Sequence, residues 1–166
     1  MYNEFRGVYY STATILNWNP LLTNDAYKDI IIESLRFCVN HQRANIWAFV
    51  IMETHIHLVW QILDPYILSY VQGNMHKFIS QRIIHDLWST NKDELLNQFL
   101  VRKKDRHFQI WKRNPMNVEI VTKDFLWQKI NYIHLNRTRK GSSDIEYKYS
   151  SAYYYHTGIK NWDFLI

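Results

Sequence analysis

Two apolar segments in the middle of the chain are separated by only Glu53 and Thr54, and this pattern restricts the fold more than any other feature. Residues 44–52 and 55–63 are rich in β-branched and aromatic side chains, which favour extended structure. The two intervening residues leave room only for a tight turn, so the segments are expected to pair as a hairpin. The fold should therefore contain an antiparallel sheet.

The rest of the chain alternates helical and extended patterns. Strands are predicted at 8–18 and, with a break at Pro115, within 108–121, and a last short strand at 161–166. Helices are predicted from Thr23 or Asn24 to about 42, at 67–88, around 93–101, and at 123–139 with Thr122 as its cap. This order predicts one domain over residues 1–166, of class α+β, with a ferredoxin-like antiparallel sheet and helices packed on one face.

Composition narrows the functional classes. No apolar run approaches the roughly 18 residues that a membrane span needs, and no signal peptide is visible, so a cytoplasmic location is expected. Cys38 is the single cysteine, which excludes an internal disulfide and a cysteine-based zinc site, and we expect it to be buried. The net charge of +5 is compatible with a polyanionic partner.

A His-x-His pattern opens the second strand of the hairpin. Because side chains alternate along a strand, His55 and His57 share one face, and Ile56, Leu58 and Trp60 face the opposite way into a core. The two imidazoles can converge on one ion and, with water or substrate oxygen in the open positions, polarise a phosphoryl group. The alternative is a solvated sheet face on which the histidines bind nothing.

A polar stripe runs along the predicted helix 123–139. Gln128, Tyr132 and Asn136 are four residues apart and share one face. Tyr132 could attack phosphorus if activated, and the Asn136 amide oxygen could be a third metal ligand. From spacing alone, Tyr132 could equally be an amphipathic residue that bridges helix and sheet.

Basic residues form two groups. They are Arg102, Lys103, Lys104, Arg106, Lys112 and Arg113 in the first group, and Arg137, Arg139 and Lys140 in the second. Neutralisation of DNA phosphates and an ordinary solvated surface are both open for each group. Trp111, beside the first group, could stack on an unpaired base or lie buried.

Four segments together resemble the single-tyrosine HUH transposases, especially the REP-associated tyrosine transposase branch. They are 52–60 (METHIHLVW), 108–112 (FQIWK), 132–136 (YIHLN) followed by Gly141, and 147–152 (YKYSSA). Their order covers most of the chain, from about residue 8 to 155. Two positions depart from the family pattern: Arg137 replaces the usual proline, and Glu53-Thr54 replaces a frequent Pro-Asn.

The resemblance implies a function and a site. His55 and His57 would bind Mg²⁺ or Mn²⁺, Asn136 would complete the metal site, and Tyr132 would form a covalent 5′-phosphotyrosine with single-stranded or hairpin DNA. A relative that binds structured DNA without cutting it is the alternative, motivated by the two basic groups and by Arg137. A metal-dependent phosphohydrolase is a third class, and it would not need Tyr132. Whether the protein is a monomer or a homodimer stays open.

Overall fold

The computed structural model describes residues 5–138 and 145–166. The strands are β1 (Val8–Thr14), β2 (Ala44–Ile51), β3 (His55–Ile62), β4 (Leu100–Lys103), β5 (Arg106–Phe108) and β6 (Met116–Glu119). The helices are α1 (Asp25–Asn40), α2 (Leu68–Ser89), α3 (Asp93–Asn97), α4 (Lys123–Thr138) and α5 (Ala152–Thr157). Two 3-10 turns, Leu16–Trp18 and Leu21–Thr23, connect β1 to α1.

The main sheet has four strands in the order β2-β3-β1-β6, and every neighbouring pair is antiparallel. With α1 after β1 and α2 after β3, this is the βαββαβ arrangement of a ferredoxin-like unit, in which the first and last strands are neighbours. The α+β class and the antiparallel sheet are confirmed. The predicted hairpin is also confirmed as β2 and β3. The strands β4 and β5 form a separate two-stranded sheet.

One face of the sheet packs against α1 and α2. Ile56, Leu58 and Trp60 of β3 are each at most 1% exposed there, in a core shared with Ile31 of α1 and Ile79 of α2. Because side chains alternate along a strand, these three side chains point to the same face of the sheet, as predicted. Cys38 of α1 is also buried in this core. This apolar layer supplies most of the hydrophobic stabilisation of the fold.

The other face packs against α4, which corrects the prediction that all helices lie on one face. Leu126, Ile130 and Ile133 of α4 contact a second core that contains Val50 and Val59. The reason is visible in β2, whose last residues are buried on both faces and read as a continuous apolar run. A strand of that kind needs a layer of protein on each side.

Both predicted helix caps are present. The Asn24 side chain accepts a hydrogen bond from Ala26 N at 3.0 Å, and the Thr122 hydroxyl accepts one from Phe125 N at 3.2 Å. No helix in the described part of the chain is long and apolar enough to cross a membrane.

Other element boundaries differ from the sequence expectation. The first strand ends at Thr14 rather than 18, because the chain enters a 3-10 turn at Leu16. The predicted helix 93–101 ends at Asn97, and β4 begins at Leu100. The predicted final strand is reduced to a single bridge between Ile46 and Leu165, and α5 was not predicted.

Candidate active site

The two histidines lie on the face of β3 that α4 partly covers. Their ring centroids are 4.8 Å apart, His57 is 5% exposed, and His55 is half-buried. In the register between strands, His55 lies opposite Thr14 and His57 opposite Thr12. The prediction that the two imidazoles share a face is confirmed.

Hydroxyl groups hold both rings through their Nδ1 atoms. The Tyr10 and Thr12 hydroxyls lie 2.9 and 2.8 Å from His57 Nδ1, and the Thr54 hydroxyl lies 2.8 Å from His55 Nδ1. Histidines that bind metals are typically oriented by such a partner on the other ring nitrogen. With Nδ1 protonated and donating to the hydroxyl oxygen, each ring would offer Nε2 to an ion.

The charge state of His57 suits a metal ligand. Its pKa is lowered to about 3, mainly by burial and in smaller part by the positive potentials of His55 and Lys129. A ligand imidazole must be neutral. His57 is therefore in the neutral form at physiological pH.

Tyr132 on α4 lies beside this pair in the same chain. Its ring centroid is 5.8 Å from that of His57 and 6.2 Å from that of Tyr10, and its side chain is 38% exposed. Ile130 and Ile133 anchor α4 on the sheet. Tyr132, which directly precedes Ile133, projects at the edge of the covered face. The phenol is thus next to the histidines and accessible from solvent.

Lys129 brings a positive charge to the same place. Its Nζ atom is 4.7 Å from the ring centroid of Tyr10 and 5.8 Å from that of Tyr132. It lies one helical turn before Ile133 and was not singled out by the sequence patterns. An ammonium group here makes the electrostatic potential around the phenol more positive.

Asn136 follows Tyr132 by one helical turn. Its Nδ2 atom is buried and has no hydrogen-bond partner among the described residues. An unsatisfied buried amide costs about 1–3 kcal/mol, and side-chain amides offer either an oxygen or a nitrogen after a flip. Across residues 5–138 and 145–166, no three His, Cys, Asp or Glu side chains cluster as a metal site. A metal site here would need the two histidines and a neutral oxygen such as the Asn136 amide.

The segment 147–152 fixes the tyrosine helix to the sheet. His134 of α4 is buried, and its Nε2 lies 2.8 Å from Ser151 Oγ. Ser151 Oγ accepts a hydrogen bond from Phe49 N at 3.0 Å, and Ser151 N donates to Phe49 O at 3.0 Å. The Tyr147 hydroxyl donates to Ile51 O at 2.7 Å. The structure thus gives this sequence segment a role in holding α4 against β2.

The residues of the first basic group lie in two different regions of the structure. Lys112 and Arg113 are exposed, and Lys112 N donates to Thr14 O at 2.7 Å, so this segment lies directly across β1 from His55. Arg102, Lys103, Lys104 and Arg106 belong instead to the separate β4–β5 sheet. Arg139 and Lys140 of the second group, and the side chain of Arg137, lie outside the described residues.

Two tryptophans have positions that their sequence context did not settle. Trp111 is 7% exposed and stacks on His76 with ring centroids 4.8 Å apart, so it is a packing residue and cannot stack on a base. Trp18 is 59% exposed, and its ring centroid is 5.8 Å from that of His55. The sequence reasoning missed Trp18, although an aromatic residue between two asparagines before Pro20 is a turn signal.

Tyr10 and Thr12 were also missed. Their spacing of two residues places both on one face of β1. Only the register between β1 and β3 shows that this face meets His57, and register is not legible in one sequence.

Two solved structures share this fold. A REP-associated tyrosine transposase bound to a REP hairpin matches with a TM-score of 0.66 and 15% identity, over 98% of this chain and 87% of that one. A candidate transposase from Deinococcus radiodurans matches with a TM-score of 0.51 and 12% identity, over 76% of this chain and 87% of that one. No protein-family model and no curated protein matches the sequence. The fold expected from the sequence resemblance is confirmed.

Proposed function

We propose that this chain is a metal-dependent enzyme that cleaves and rejoins single-stranded DNA, as a transposase of the REP-associated tyrosine type. The observation that carries this proposal is the edge-to-face contact of the Tyr132 and His57 rings, whose centroids are 5.8 Å apart. It occurs in a structure whose fold matches such a transposase. A phenol, two imidazoles and a lysine are grouped at one solvent-accessible edge.

Tyr132 is the proposed nucleophile. Its hydroxyl oxygen attacks a DNA phosphorus, a P–O bond to the phenol forms, and the bond to the neighbouring 3′ oxygen breaks. The phenol loses its proton, and the released 3′ oxygen gains one, which leaves a 3′ hydroxyl and a 5′-phosphotyrosine. Attack of another 3′ hydroxyl on that phosphotyrosine reverses these bond changes and joins a new strand, so no external energy source is needed.

His55, His57 and Asn136 are the proposed ligands of Mg²⁺ or Mn²⁺. The neutral His57, the hydroxyl partners of both rings and the unsatisfied Asn136 amide fit this role. When bound, the ion supplies polarisation of a phosphoryl oxygen and orientation of the scissile bond. In this proposal the hydroxyls of Thr12 and Thr54 orient the two ligand rings through their Nδ1 atoms.

Lys129, Lys112 and Arg113 are the proposed contacts for the DNA backbone near the scissile phosphate. Lys129 lies over the Tyr10 ring, and Lys112 lies across β1 from His55. The residues of the β4–β5 hairpin, Arg102, Lys103, Lys104 and Arg106, would meet a more distant part of a hairpin substrate. Arg137, Arg139 and Lys140, which follow Tyr132 in the sequence, are proposed as further contacts to the DNA backbone. The REP hairpin bound by the matching transposase suggests hairpin DNA as the substrate.

The phenol and the imidazole at the centre of the proposed site belong to one chain. His57 and Tyr132 contact each other without a second copy, so a monomer would suffice for cleavage. A homodimer that shares the site is not required by this geometry.

The direct experiment incubates the protein with a hairpin-containing oligonucleotide and Mn²⁺ and measures a denaturation-resistant protein–DNA adduct. Tyr132→Phe should form no adduct, because the attacking oxygen is missing. Tyr70→Phe is the matched control, since Tyr70 is also exposed but lies on α2 at the other face of the sheet. A wild-type adduct yield in Tyr132→Phe would refute the proposal.

A DNA-binding protein that does not cut is the second candidate. Arg137 in place of the family's proline and the absence of a third titratable ligand in the described part of the chain favour it. It predicts tight, salt-dependent binding of hairpin DNA that survives His55→Ala, with no adduct in Mn²⁺. Adduct formation by the wild-type protein would exclude it.

A further inference from the structure

The backbone at Trp18 adopts a conformation that bulky residues rarely accept. Asn17 and Trp18 are consecutive and both left-handed, with φ angles of 56° and 54°. The other non-glycine residues of this kind in the described part of the chain are Gln42, Asn91 and Asn114, none of them aromatic. Asparagine tolerates this region, whereas a bulky side chain there is an outlier that costs about 1–3 kcal/mol.

Main-chain hydrogen bonds hold this turn against the histidine strand. Ile15 N donates to Thr54 O at 2.8 Å, directly before His55, and Trp18 N donates to Ile15 O at 3.0 Å. Leu16 N donates to Ile110 O at 2.8 Å, close to the segment that carries Lys112. The surroundings therefore impose the strained conformation and fix the turn relative to the site.

The strain places a large ring in solvent at the mouth of the site. Trp18 is 59% exposed, and its ring meets that of His55 edge to face, with centroids 5.8 Å apart and an interplanar angle of 71°. Trp88 is similarly exposed, at 67%, but it lies at the end of α2, which packs on the opposite face of the sheet. Exposing an indole forgoes hydrophobic stabilisation, so strain and exposure at the same residue point to a binding role.

We propose that Trp18 is a stacking platform for an unpaired base next to the phosphate that Tyr132 attacks. This inference rests on the proposed function for its single-stranded DNA substrate. Every base has a π-face that can stack on an indole, and a strand held on one side by Lys112 and Arg113 would pass over the Trp18 ring before reaching His55. The ring also limits the path of the strand, which sets the position of the scissile phosphate.

The test measures binding in EDTA, so that it requires no metal and no chemistry. The probes are a fluorescein-labelled oligothymidylate of about 12 nucleotides and an abasic strand of equal length and charge. Trp18→Gly removes the ring and also accepts the positive φ without strain. Trp18→Phe keeps a smaller ring, and Trp88→Ala removes an exposed indole elsewhere.

Trp18→Gly should weaken binding of oligothymidylate by about 5- to 150-fold and leave binding of the abasic strand nearly unchanged. Its melting temperature should be no lower than that of the wild type, because strain is relieved. Trp18→Phe should retain most of the difference between the two probes, and Trp88→Ala all of it. A ring with only a structural role would give the opposite result, a lower melting temperature and unchanged binding.

Three results would overturn the inference: equal binding of the two probes by the wild type, wild-type binding of oligothymidylate by Trp18→Gly, or an equal loss of both probes in that variant. The adduct assay with Mn²⁺ separates this inference from the proposed function. Normal adduct formation with Trp18-independent binding refutes only the stacking platform. Trp18-dependent base binding with no adduct refutes only the cleavage chemistry.

Discussion

On one face of the sheet, β3 presents Ile56, Leu58 and Trp60 to α1 and α2, and each of these side chains is at most 1% exposed. On the other face the same strand presents His55, His57 and Val59 towards α4, where His55 stays half-buried and Tyr132 is 38% exposed. On the closed face, Trp60 Nε1 donates a hydrogen bond to Ser11 Oγ at 2.9 Å inside the core. The polar groups of the open face converge on a solvent-accessible edge.

The difference follows from how much helix covers each side. Two helices of 16 and 22 residues cover the closed face, whereas the second face is covered by the 16 residues of α4 and by Tyr155 of the six-residue α5. Apolar side chains of the strands are buried where α4 packs over them. Polar side chains lie where the cover by α4 ends. The closed face is therefore a packed apolar layer, while the open face carries the histidines and Tyr132 at its edge.

The largest effects are expected from substitutions of two neighbouring residues of β3, one of which should affect stability and the other adduct formation. Leu58→Ala should lower the free energy of unfolding by about 2–5 kcal/mol, because it leaves a cavity in a packed core. His57→Ala should lower adduct formation per folded molecule by at least about 100-fold, as expected when a ligand of the reacting centre is lost. Urea denaturation and the hairpin-oligonucleotide assay measure the two quantities.

For this pair, the adduct yield of Leu58→Ala per folded molecule should stay near the wild-type value. Equal losses of adduct formation in Leu58→Ala and His57→Ala, at temperatures where both are folded, would contradict the division of roles between the two faces.

A smaller effect is expected from the hydroxyl that orients His55. Thr54→Val keeps the side-chain shape but removes the Oγ atom that lies 2.8 Å from His55 Nδ1. Affinity for Mn²⁺ should fall by about 10- to 100-fold, the usual cost of losing such a partner. Calorimetric titration with Mn²⁺ measures it, with the exposed Thr90→Val as control. Unchanged Mn²⁺ affinity in Thr54→Val would show that this hydroxyl orients no metal ligand.

The attachment of α4 can be weakened from the sheet side. Ser151→Ala removes the oxygen shared by His134 Nε2 and Phe49 N, and this should cost about 1–3 kcal/mol of stability. Adduct formation should also fall at temperatures where the variant is folded, since Tyr132 is carried by the same helix and small displacements reduce rates strongly. Ser89→Ala, at an exposed serine of α2, is the control. A loss of stability with a full adduct yield would mean that this contact does not position the nucleophile.

How much of this could be predicted from sequence differs between the two faces. The alternation in β3 predicted correctly which side chains share a face, because a strand's geometry is local. The site prediction required Tyr132 of α4 to lie beside the histidines, but the fold prediction put the helices on one face, since the doubly buried end of β2 was treated as half of an ordinary hairpin. The partners of His57 depend on the register of β1 against β3, which arises only when distant segments pair. The separation of the basic residues 102–106 from Lys112 depends on the small β4–β5 sheet, whose short strands carry no strong pattern.

The smallest expected effect concerns the closed face alone. Burial raises the pKa of the Cys38 thiol to about 11. As pH rises past the ordinary thiol value of 9.0, the unfolded chain loses this proton first, so stability should fall between about pH 9 and pH 11. Burial raises the pKa of Tyr27 too, and its hydrogen bond to Asp86 acts in the same direction. In Cys38→Ala the free energy of unfolding should fall less steeply with pH, by up to about 1.4 kcal/mol per pH unit. Urea denaturation at several pH values measures this slope. An identical slope in both proteins would mean that the thiol is not shielded from water.

The central claim is that Tyr132 forms a covalent bond to DNA beside the two histidines, and mass spectrometry of the adduct tests it most directly. Trypsin cuts after Lys129 and Arg137 and releases residues 130–137, a peptide whose single tyrosine is Tyr132. After reaction with a hairpin oligonucleotide and Mn²⁺, this peptide should carry the 5′-phosphorylated DNA fragment on Tyr132. DNA cut without any adduct on this peptide, or an adduct on a different peptide, would contradict the account.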